Sequence, residues 1–190
     1  MIPPFSFNAW LADNGDKLKP PVNNHCLYTG NDFTLMVVGG PNQRNDYHSI
    51  QRNRGNPNFP TDYYTYQRNT QEWFYQVKGD MLLRVVEDNK FKDIPIKEGE
   101  MFLLPGNTPH NPVRYADTIG LVMERKRPAG SVDKLRWYCV HGEHPVPTVV
   151  REETFHCEDL GDQLKGLIQR WQSDEESRRC AECGQVADPM

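Results

Sequence analysis

The stretch EWFYQVKGDMLLRVVEDNKFKDIPIKEG, residues 72–99, decides the fold class of this chain. It holds three short runs of aromatic and aliphatic residues, separated by Lys78-Gly79 and by Asp88-Asn89. Gly, Asn and Asp favour tight turns because they tolerate a left-handed backbone conformation. The stretch therefore predicts a meander of antiparallel strands: one ending at Lys78, a second through residues 81–86, and a third through residues 91–96 after a hairpin turn.

Strand patterns continue on both sides of this stretch. Upstream, residues 33–38 alternate between two faces before a Gly39-Gly40-Pro41 turn, and downstream, residues 100–104 and 118–124 have the same character. Turns that recur every ~8–12 residues are typical of a sandwich or barrel. Fifteen prolines and fourteen glycines fit many turns and short strands better than a helical bundle. The sequence predicts a mainly β protein.

Helical patterns stand near the two ends of the chain. A short N-terminal helix is predicted, with Asn8 as its N-cap and Gly15 at its end. An amphipathic helix is predicted to start near Asp159, because apolar residues recur on one face at Leu160, Leu164, Leu167, Ile168 and Trp171. Composition shifts after Arg127, so we expect a β-barrel in residues 1–130 and a C-terminal extension in 131–190. That extension would consist of a hairpin, the helix and a CxxC tail packed on the barrel.

A polar stretch, residues 49–70, interrupts the run of predicted strands. It contains Pro57 and Pro60 and few aliphatic residues. Loops of this length are usually functional or disordered. We predict an inserted loop whose tyrosines fold over a neighbouring pocket; an incorrect gene model would also explain it.

Charge and composition exclude several classes of protein. The net charge of −4 gives no reason to expect a nucleic-acid partner. No apolar run approaches the ~20 residues that a membrane helix needs, and the N-terminus lacks the pattern of a signal peptide. We therefore expect a cytoplasmic protein without a membrane partner. In a reducing compartment, five cysteines with one CxxC indicate a metal site or free thiols rather than disulfides.

Residues able to do chemistry stand at or near the ends of the predicted strands. His48, Glu72 and His110 are two imidazoles and one carboxylate on different strands, the facial triad that suits non-haem iron. The charged residues around them are Arg44, Asp46, Arg114 and Glu124. Taken singly, each histidine is more simply explained as a surface residue or a hydrogen-bonded core residue. Taken together they favour a metal site, because buried charges are rare without partners or a metal.

Long motifs resemble one known family. They read GGPNQRNDYH, EWFYQVKGDM, EGEMFLLPGNTPHNPVR, GLVMERKRP and RRCAECG, and with shorter ones they cover nearly the whole chain. The sequence resembles the 3-hydroxyanthranilate 3,4-dioxygenase family, in a fungal-like form. These are cupin-fold iron enzymes of the kynurenine route from tryptophan to NAD. The general cupin spacing is also present, although Asn107 stands where a glycine is usual.

The resemblance implies a cupin fold, a double-stranded β-helix or jelly-roll barrel, and a full set of roles. His48, Glu72 and His110 would bind Fe(2+), with Glu72 also beside the substrate. Arg114 would clamp the substrate carboxylate, and Glu124 would hydrogen-bond its amino or hydroxyl group and accept a proton. Arg44 would lie at the dioxygen position, oriented by Asp46. The reaction would convert 3-hydroxyanthranilate and O2 to 2-amino-3-carboxymuconate semialdehyde, which closes to quinolinate.

The sequence departs from the family pattern at two places. Between His48 and Glu72 stand 23 residues, where the family has few. At the C-terminus, the paired CxxC that holds a second metal in many relatives keeps Cys180 and Cys183, but the other pair reads Cys139-Val-His-Gly142. His141, His144 or Cys157 could supply a fourth ligand. A degenerate remnant without metal is the alternative that the sequence favours.

Other functions stay open at this point. A metal-dependent cupin isomerase or a different cupin dioxygenase would use the same triad. A non-enzymatic cupin that binds a small molecule needs no metal. A zinc ribbon that contacts nucleic acid is disfavoured by the acidic balance and the lone CxxC. We expect a monomer or a homodimer.

Overall fold

The structure is a computed structural model that describes residues 3–19, 23–42, 44–52, 71–127, 131–157 and 160–190. The described residues form eleven strands and two α-helices. The strands are β1 (Asn24–Thr29), β2 (Phe33–Gly39), β3 (Tyr47–Arg52), β4 (Glu72–Lys78), β5 (Met81–Glu87), β6 (Lys90–Ile96), β7 (Met101–Leu104), β8 (His110–Arg114), β9 (Ile119–Arg125), β10 (Ser131–Tyr138) and β11 (Val149–Phe155). The helices are α1 (Phe7–Asn14) and α2 (Leu160–Ser173), and short 3-10 helices follow each of them at Gly15–Leu18 and Glu176–Arg178.

The strands build two antiparallel sheets. One sheet has five strands in the order β1-β2-β9-β4-β7, and the other has six in the order β11-β10-β3-β8-β5-β6. Their inner faces share one apolar core, whose members are Phe74, Met81, Leu83, Val85, Ile96, Leu104 and Val122. The predicted cupin fold, mainly β with a helix near each end, is confirmed.

Alternation along the strands explains which residues enter this core. In β4, Glu72, Phe74 and Gln76 are buried while the residues between them are half-buried. Successive side chains of a strand point to opposite faces, so residues two apart share one face. The same alternation places Glu72 and Gln76 on the inner face beside Phe74.

The predicted meander is right in its strands and wrong in one pairing. β5 and β6 form a hairpin whose turn residues Asp88 and Asn89 have φ of 50° and 55°, as a tight turn requires. However, β4 belongs to the five-stranded sheet and β5 to the six-stranded sheet. Gly79, with φ of 67°, stands between them, so the chain changes sheets there instead of turning back on itself.

The helices differ slightly from prediction. Ser6, not Asn8, caps α1, since its hydroxyl accepts a hydrogen bond from the Ala9 N–H at 3.3 Å. Gly15 keeps a right-handed conformation and begins the 3-10 helix that extends α1. The predicted start near Asp159 lies outside the described residues; the helix is described from Leu160. None of the described helices is long and apolar enough to cross a membrane.

The C-terminal hairpin is continuous with the barrel. β10 pairs with β11 on one side and with β3 on the other. Because Ser49 to Arg52 pair with the start of β10, these four residues belong to a strand, and the predicted loop at 49–70 begins too early. Residues 53–70 lie outside the described residues. The division at residue 130 stays a prediction.

A second apolar cluster attaches helix α2 to this hairpin. Trp137 of β10 stacks on Trp171 of α2, with ring centroids 4.8 Å apart. Its other buried members are Leu135, Leu164, Leu167 and Ala187. Of the positions predicted for the amphipathic face, Leu164, Leu167 and Trp171 are buried in this cluster and Ile168 packs against it.

Candidate metal centre

Three potential metal ligands converge between the two sheets. His48 and His110 are direct cross-strand partners on β3 and β8, and Glu72 begins β4 in the opposite sheet. One ligand atom from each lies within 4.8 Å of the others. His110 Nε2 is 3.3 Å from Glu72 Oε2. The three side chains predicted from the sequence therefore share one place in the interior.

The burial and charge of this cluster fit a divalent cation. Glu72 is 4% exposed, His110 4% and His48 5%. Burial opposes ionisation of Glu72, but His110 and His48 hold the pKa of that carboxyl below its ordinary value. A buried carboxylate is costly unless it is paired or coordinates a metal. Two imidazoles and a carboxylate on one side suit iron with open coordination positions, so the donor set fits the metal that the resemblance implies.

Glu124 places a second carboxylate beside the first. It lies on β9 directly opposite Glu72, and it is buried. Burial first, and then the negative charge of Glu72, raise the pKa of Glu124 to about 7. Two carboxyl groups in one dry site seldom both ionise, so their pKa values move apart. Glu124 can therefore gain or lose a proton near neutral pH.

Arg114 ends β8 with its guanidinium inside the barrel. It is 3% exposed, and Nη1 donates to Gln76 Oε1 at 2.8 Å. Burial lowers the pKa of Arg114 to about 10. Within the described part of the chain, no carboxylate lies within salt-bridge distance of this guanidinium. A buried cation that contacts only a neutral amide can accept an anionic group of a ligand.

Glycine at position 120 makes room for this arrangement. A Cβ built on Gly120 would lie 2.4 Å from Gln76 Oε1 and 2.5 Å from Arg114 Nη1. These distances are too short for a real side chain, so the Arg114–Gln76 pair occupies space that only glycine leaves free.

Arg44 and Asp46 form an ion pair just before β3. Arg44 Nε donates to Asp46 Oδ1 at 2.9 Å, and Nη2 donates to Asp46 Oδ2 at 2.5 Å. The Asn111 amide holds the same turn by donating to the Asp46 carbonyl at 2.7 Å. Burial opposes the charged form of Arg44, but Asp46, together with Glu72, raises its pKa. The predicted orienting role of Asp46 thus has a direct contact to support it.

Sequence reasoning missed a network behind the cluster. Asp133 Oδ2 lies 2.7 Å from His48 Nε2, and Arg127 donates to Asp133 from Nε and Nη2 at 2.8–3.0 Å. Arg127 Nη1 is also 3.6 Å from Glu124 Oε2. The signal was available, because Asp133 stands two residues before Leu135 and four before Trp137 and therefore shares the buried face of the strand with them.

A comparison with models of protein families identifies the family of this chain. The model described as 3-hydroxyanthranilic acid dioxygenase matches residues 1–54 and 50–172. The chain belongs to this dioxygenase family. The two matched segments meet at the polar stretch, where the sequence departs from the family pattern.

Curated relatives agree with this assignment. A protein named 3-hydroxyanthranilate 3,4-dioxygenase 2 from Aspergillus oryzae is 68% identical over 190 residues, which cover 100% of this chain and 99% of the relative. A 3-hydroxyanthranilate 3,4-dioxygenase from Pyricularia oryzae is 50% identical, covering 98% of this chain and 91% of the relative. Among solved structures, a cupin-2 domain protein from Shewanella frigidimarina is 16% identical, with a TM-score of 0.41 over 64% of this chain and 94% of that one.

Proposed function

We propose that this member of the dioxygenase family cleaves the ring of 3-hydroxyanthranilate with O2, using iron held by His48, Glu72 and His110. The observation that carries the proposal is the buried cluster of two histidines and one glutamate, whose ligand atoms lie within 4.8 Å of one another. Relatives that are 50–68% identical over nearly their full length carry the name of this activity. The product is 2-amino-3-carboxymuconate semialdehyde, the precursor of quinolinate in NAD biosynthesis.

Ferrous iron bound at this cluster would supply the open coordination positions at which an ortho-aminophenol and dioxygen meet. The chain itself shields the site from water, because His48, Glu72 and His110 are buried between the two sheets. Exclusion of water from such a site strengthens each electrostatic contact that the substrate makes.

Arg114 would hold the substrate carboxylate. A guanidinium presents two parallel N–H groups to a carboxylate and so fixes both the position and the plane of the ring. Gln76 occupies one N–H of Arg114, and its own amide donates to the Gly79 carbonyl at 2.7 Å. The Arg114 side chain is therefore aimed before the substrate arrives, which lowers the entropy lost on binding.

Glu124 would move the proton. With a pKa raised to about 7, its carboxylate can accept a proton from the substrate hydroxyl or amino group and return it later. Arg127, 3.6 Å away, bridges Glu124 to Asp133 and so fixes the carboxyl in place. Arg44, held by Asp46, would stabilise negative charge that develops on oxygen as ring electrons reduce it.

Metal loading and oxygen uptake test this proposal. Protein loaded with Fe(II) without oxygen should consume O2 on addition of 3-hydroxyanthranilate, with the absorbance of a conjugated semialdehyde appearing in parallel. His110→Ala should lose the iron as well as the activity, because only two of the three protein ligands would remain to bind the metal. Firm metal binding without oxygen uptake would instead favour a cupin isomerase or a dioxygenase for another substrate.

The substrate clamp has its own test. Arg114→Ala should raise the KM for 3-hydroxyanthranilate strongly while iron is retained, because the carboxylate loses its partner and the ligands are untouched. Arg125→Ala, an exposed arginine on β9, is the matched control and should leave KM unchanged. An unchanged KM in Arg114→Ala would remove Arg114 from this role. A cytoplasmic location and a monomeric or homodimeric state stay predictions.

A further inference from the structure

Two asparagines connect the segment before β3, which carries Arg44, with strand β8, which carries Arg114. Within the described residues, β3 and β8 pair at one position, His48 with His110. Pro112, two residues further along β8, has no N–H to donate to a neighbouring strand. The two parts of the chain must therefore be held together here by something other than regular strand pairing.

Asn42 holds the end of β8. Its Oδ1 accepts a hydrogen bond from the Arg114 N–H at 2.8 Å, and its own N–H donates to the Arg114 carbonyl at 3.3 Å. Its Nδ2 donates to the Pro112 carbonyl. Three bonds from one residue fix the main chain from which the Arg114 guanidinium extends into the barrel.

Asn111 makes the converse connection, from β8 to the segment. It is 2% exposed, and its Nδ2 donates to the Asp46 carbonyl at 2.7 Å and to the Arg44 carbonyl at 3.3 Å. An amide NH2 group has two protons and can serve both acceptors. Because Asp46 in turn binds the guanidinium of Arg44, Asn111 fixes the main chain of both members of this ion pair.

The segment also lies close to the turn after β8, where Gly40 leaves no room for a side chain. A Cβ built on Gly40 would lie 2.0 Å from the Tyr115 carbonyl oxygen and 2.7 Å from Thr118 Oγ1, closer than real Cβ atoms come. The Gly40 N–H donates to the Thr118 carbonyl at 3.2 Å. This contact does not involve the two asparagines, and it brings the segment to β8 in the same way.

We propose that Asn42 and Asn111 are positioning residues, which fix Arg114 and Arg44 relative to each other. The inference rests on the function proposed above, in which Arg114 holds the substrate carboxylate and Arg44 stabilises negative charge on oxygen. Both arginines must then serve one bound molecule, and a displacement of ~1 Å can cost roughly a hundredfold in rate. Each asparagine holds a different arginine, so the loss of each should affect a different step.

Ligand binding to the full-length protein, loaded with Fe(II) and kept without oxygen, tests the role of Asn42. Anthranilate has the carboxylate that Arg114 would bind, whereas 2-aminophenol lacks it and keeps the hydroxyl and amino groups. In Asn42→Ala the dissociation constant for anthranilate should rise roughly tenfold, because a displaced guanidinium forms a weaker charge-assisted pair. The constant for 2-aminophenol should not change. Isothermal titration calorimetry measures both constants.

Asn45→Ala is the matched control, because this amide lies on the same segment and donates to the Asp188 carbonyl at 2.9 Å. It should leave both constants unchanged. Asn42→Ser, whose side chain is shorter and lacks the NH2 donor, takes the place of Asn42→Ala if that protein does not fold. Equal losses for the two ligands, or unchanged binding of anthranilate, would overturn the positioning role and leave the proposed function standing. A wild-type chain that binds neither ligand would overturn both.

Turnover tests the role of Asn111. Asn111→Leu keeps a similar volume and removes the amide, so the Arg44 and Asp46 carbonyls lose their donor. We expect kcat for oxygen uptake to fall about tenfold, while iron content and both dissociation constants stay as in the wild type. An unchanged kcat would overturn the assignment to Arg44, and so would loss of iron, since the change would then act through His110. Asn111→Ser serves in its place if Asn111→Leu does not fold.

Discussion

Substitution of Gly120 by alanine should weaken substrate binding without touching a metal ligand. Gly120 lies on β9 directly opposite Gln76 of β4. The added methyl group would stand 2.4 Å from Gln76 Oε1 and 2.5 Å from Arg114 Nη1, closer than real Cβ atoms come. One of these two side chains, or both, must move.

The expected rise in KM follows from the lack of space around Gln76 and Arg114. Gln76 is 0% exposed and donates to the Gly79 carbonyl, and Arg114 is buried as well, so neither tip can swing to solvent. The Arg114–Gln76 hydrogen bond is then lost and the guanidinium displaced. Hydrogen bonds to charged groups contribute ~1.5–3 kcal/mol, and each ~1.4 kcal/mol is tenfold in affinity. We expect KM to rise about 10- to 100-fold.

Steady-state oxygen uptake as a function of 3-hydroxyanthranilate concentration measures this change. The KM should rise while iron content stays the same and kcat falls less than KM rises. Gly166→Ala is the matched control, because a Cβ at that exposed position of α2 meets nothing within 4 Å. It should leave both constants unchanged and stabilise the helix by up to ~1 kcal/mol. An unchanged KM in Gly120→Ala would refute the positioning of Arg114 by Gln76.

Two further substitutions test the electrostatics of the site. Burial and Glu72 raise the pKa of Glu124 from 4.5 to about 7 in the folded chain. Between these pH values the carboxyl ionises in the unfolded chain but stays protonated in the folded one, so the wild type loses stability as pH rises. The metal-free Glu124→Gln protein lacks this loss and should become more stable relative to wild type over the same range. The difference should approach ~3 kcal/mol above that range in denaturant titrations, with turnover reduced; a difference that does not vary with pH would contradict the assignment. Asp133→Asn should lower iron affinity ~10- to 100-fold in a chelator competition, because Asp133 contacts His48 and holds Arg127. Native iron affinity in a folded Asp133→Asn protein would mean that the contact does not orient the ligand.

Local pattern was sufficient to predict most strands. In β5 the buried face is apolar, and in β4 buried and half-buried residues also alternate although only Phe74 of its buried residues is apolar, so the period of two in the sequence mirrors the period of two in the structure. The sheet to which a strand belongs was not predictable. β4 and β5 follow each other within three residues of chain and nevertheless join different sheets, because the choice depends on partners such as β8 and β9 that come later.

Non-local pairing also explains the misplaced start of the polar loop. Ser49, Gln51 and Arg52 are polar and resemble a loop, and only their neighbour Ile50 is apolar. They form a strand because β10, about 80 residues further along, supplies its hydrogen bonds, as in the pairing of Ile50 with Asp133. No signal near residue 50 reports that partner.

The candidate site was predictable as far as residue chemistry goes. Histidine, glutamate and arginine at strand ends suggested a metal and an anion clamp. Asp133, which contacts His48, was missed because a buried aspartate is expected only where a partner is known. Its partner Arg127 comes within hydrogen-bond distance only in the folded chain. In the same way, Gly142 looked like a lost ligand until His144 was seen beside it.

The three barrel ligands come from both sheets, so metal binding affects the stability of the folded chain. His48 and His110 belong to one sheet and Glu72 to the other, so an ion bound by all three cross-links the two sheets. A ligand that binds only the native chain stabilises it by ~4 kcal/mol when present at a thousand times its dissociation constant. Loss of a metal from this site would therefore weaken the contact between the two sheets and expose the chain to proteolysis, so that the amount of protein, and not only its turnover, would follow the supply of that metal.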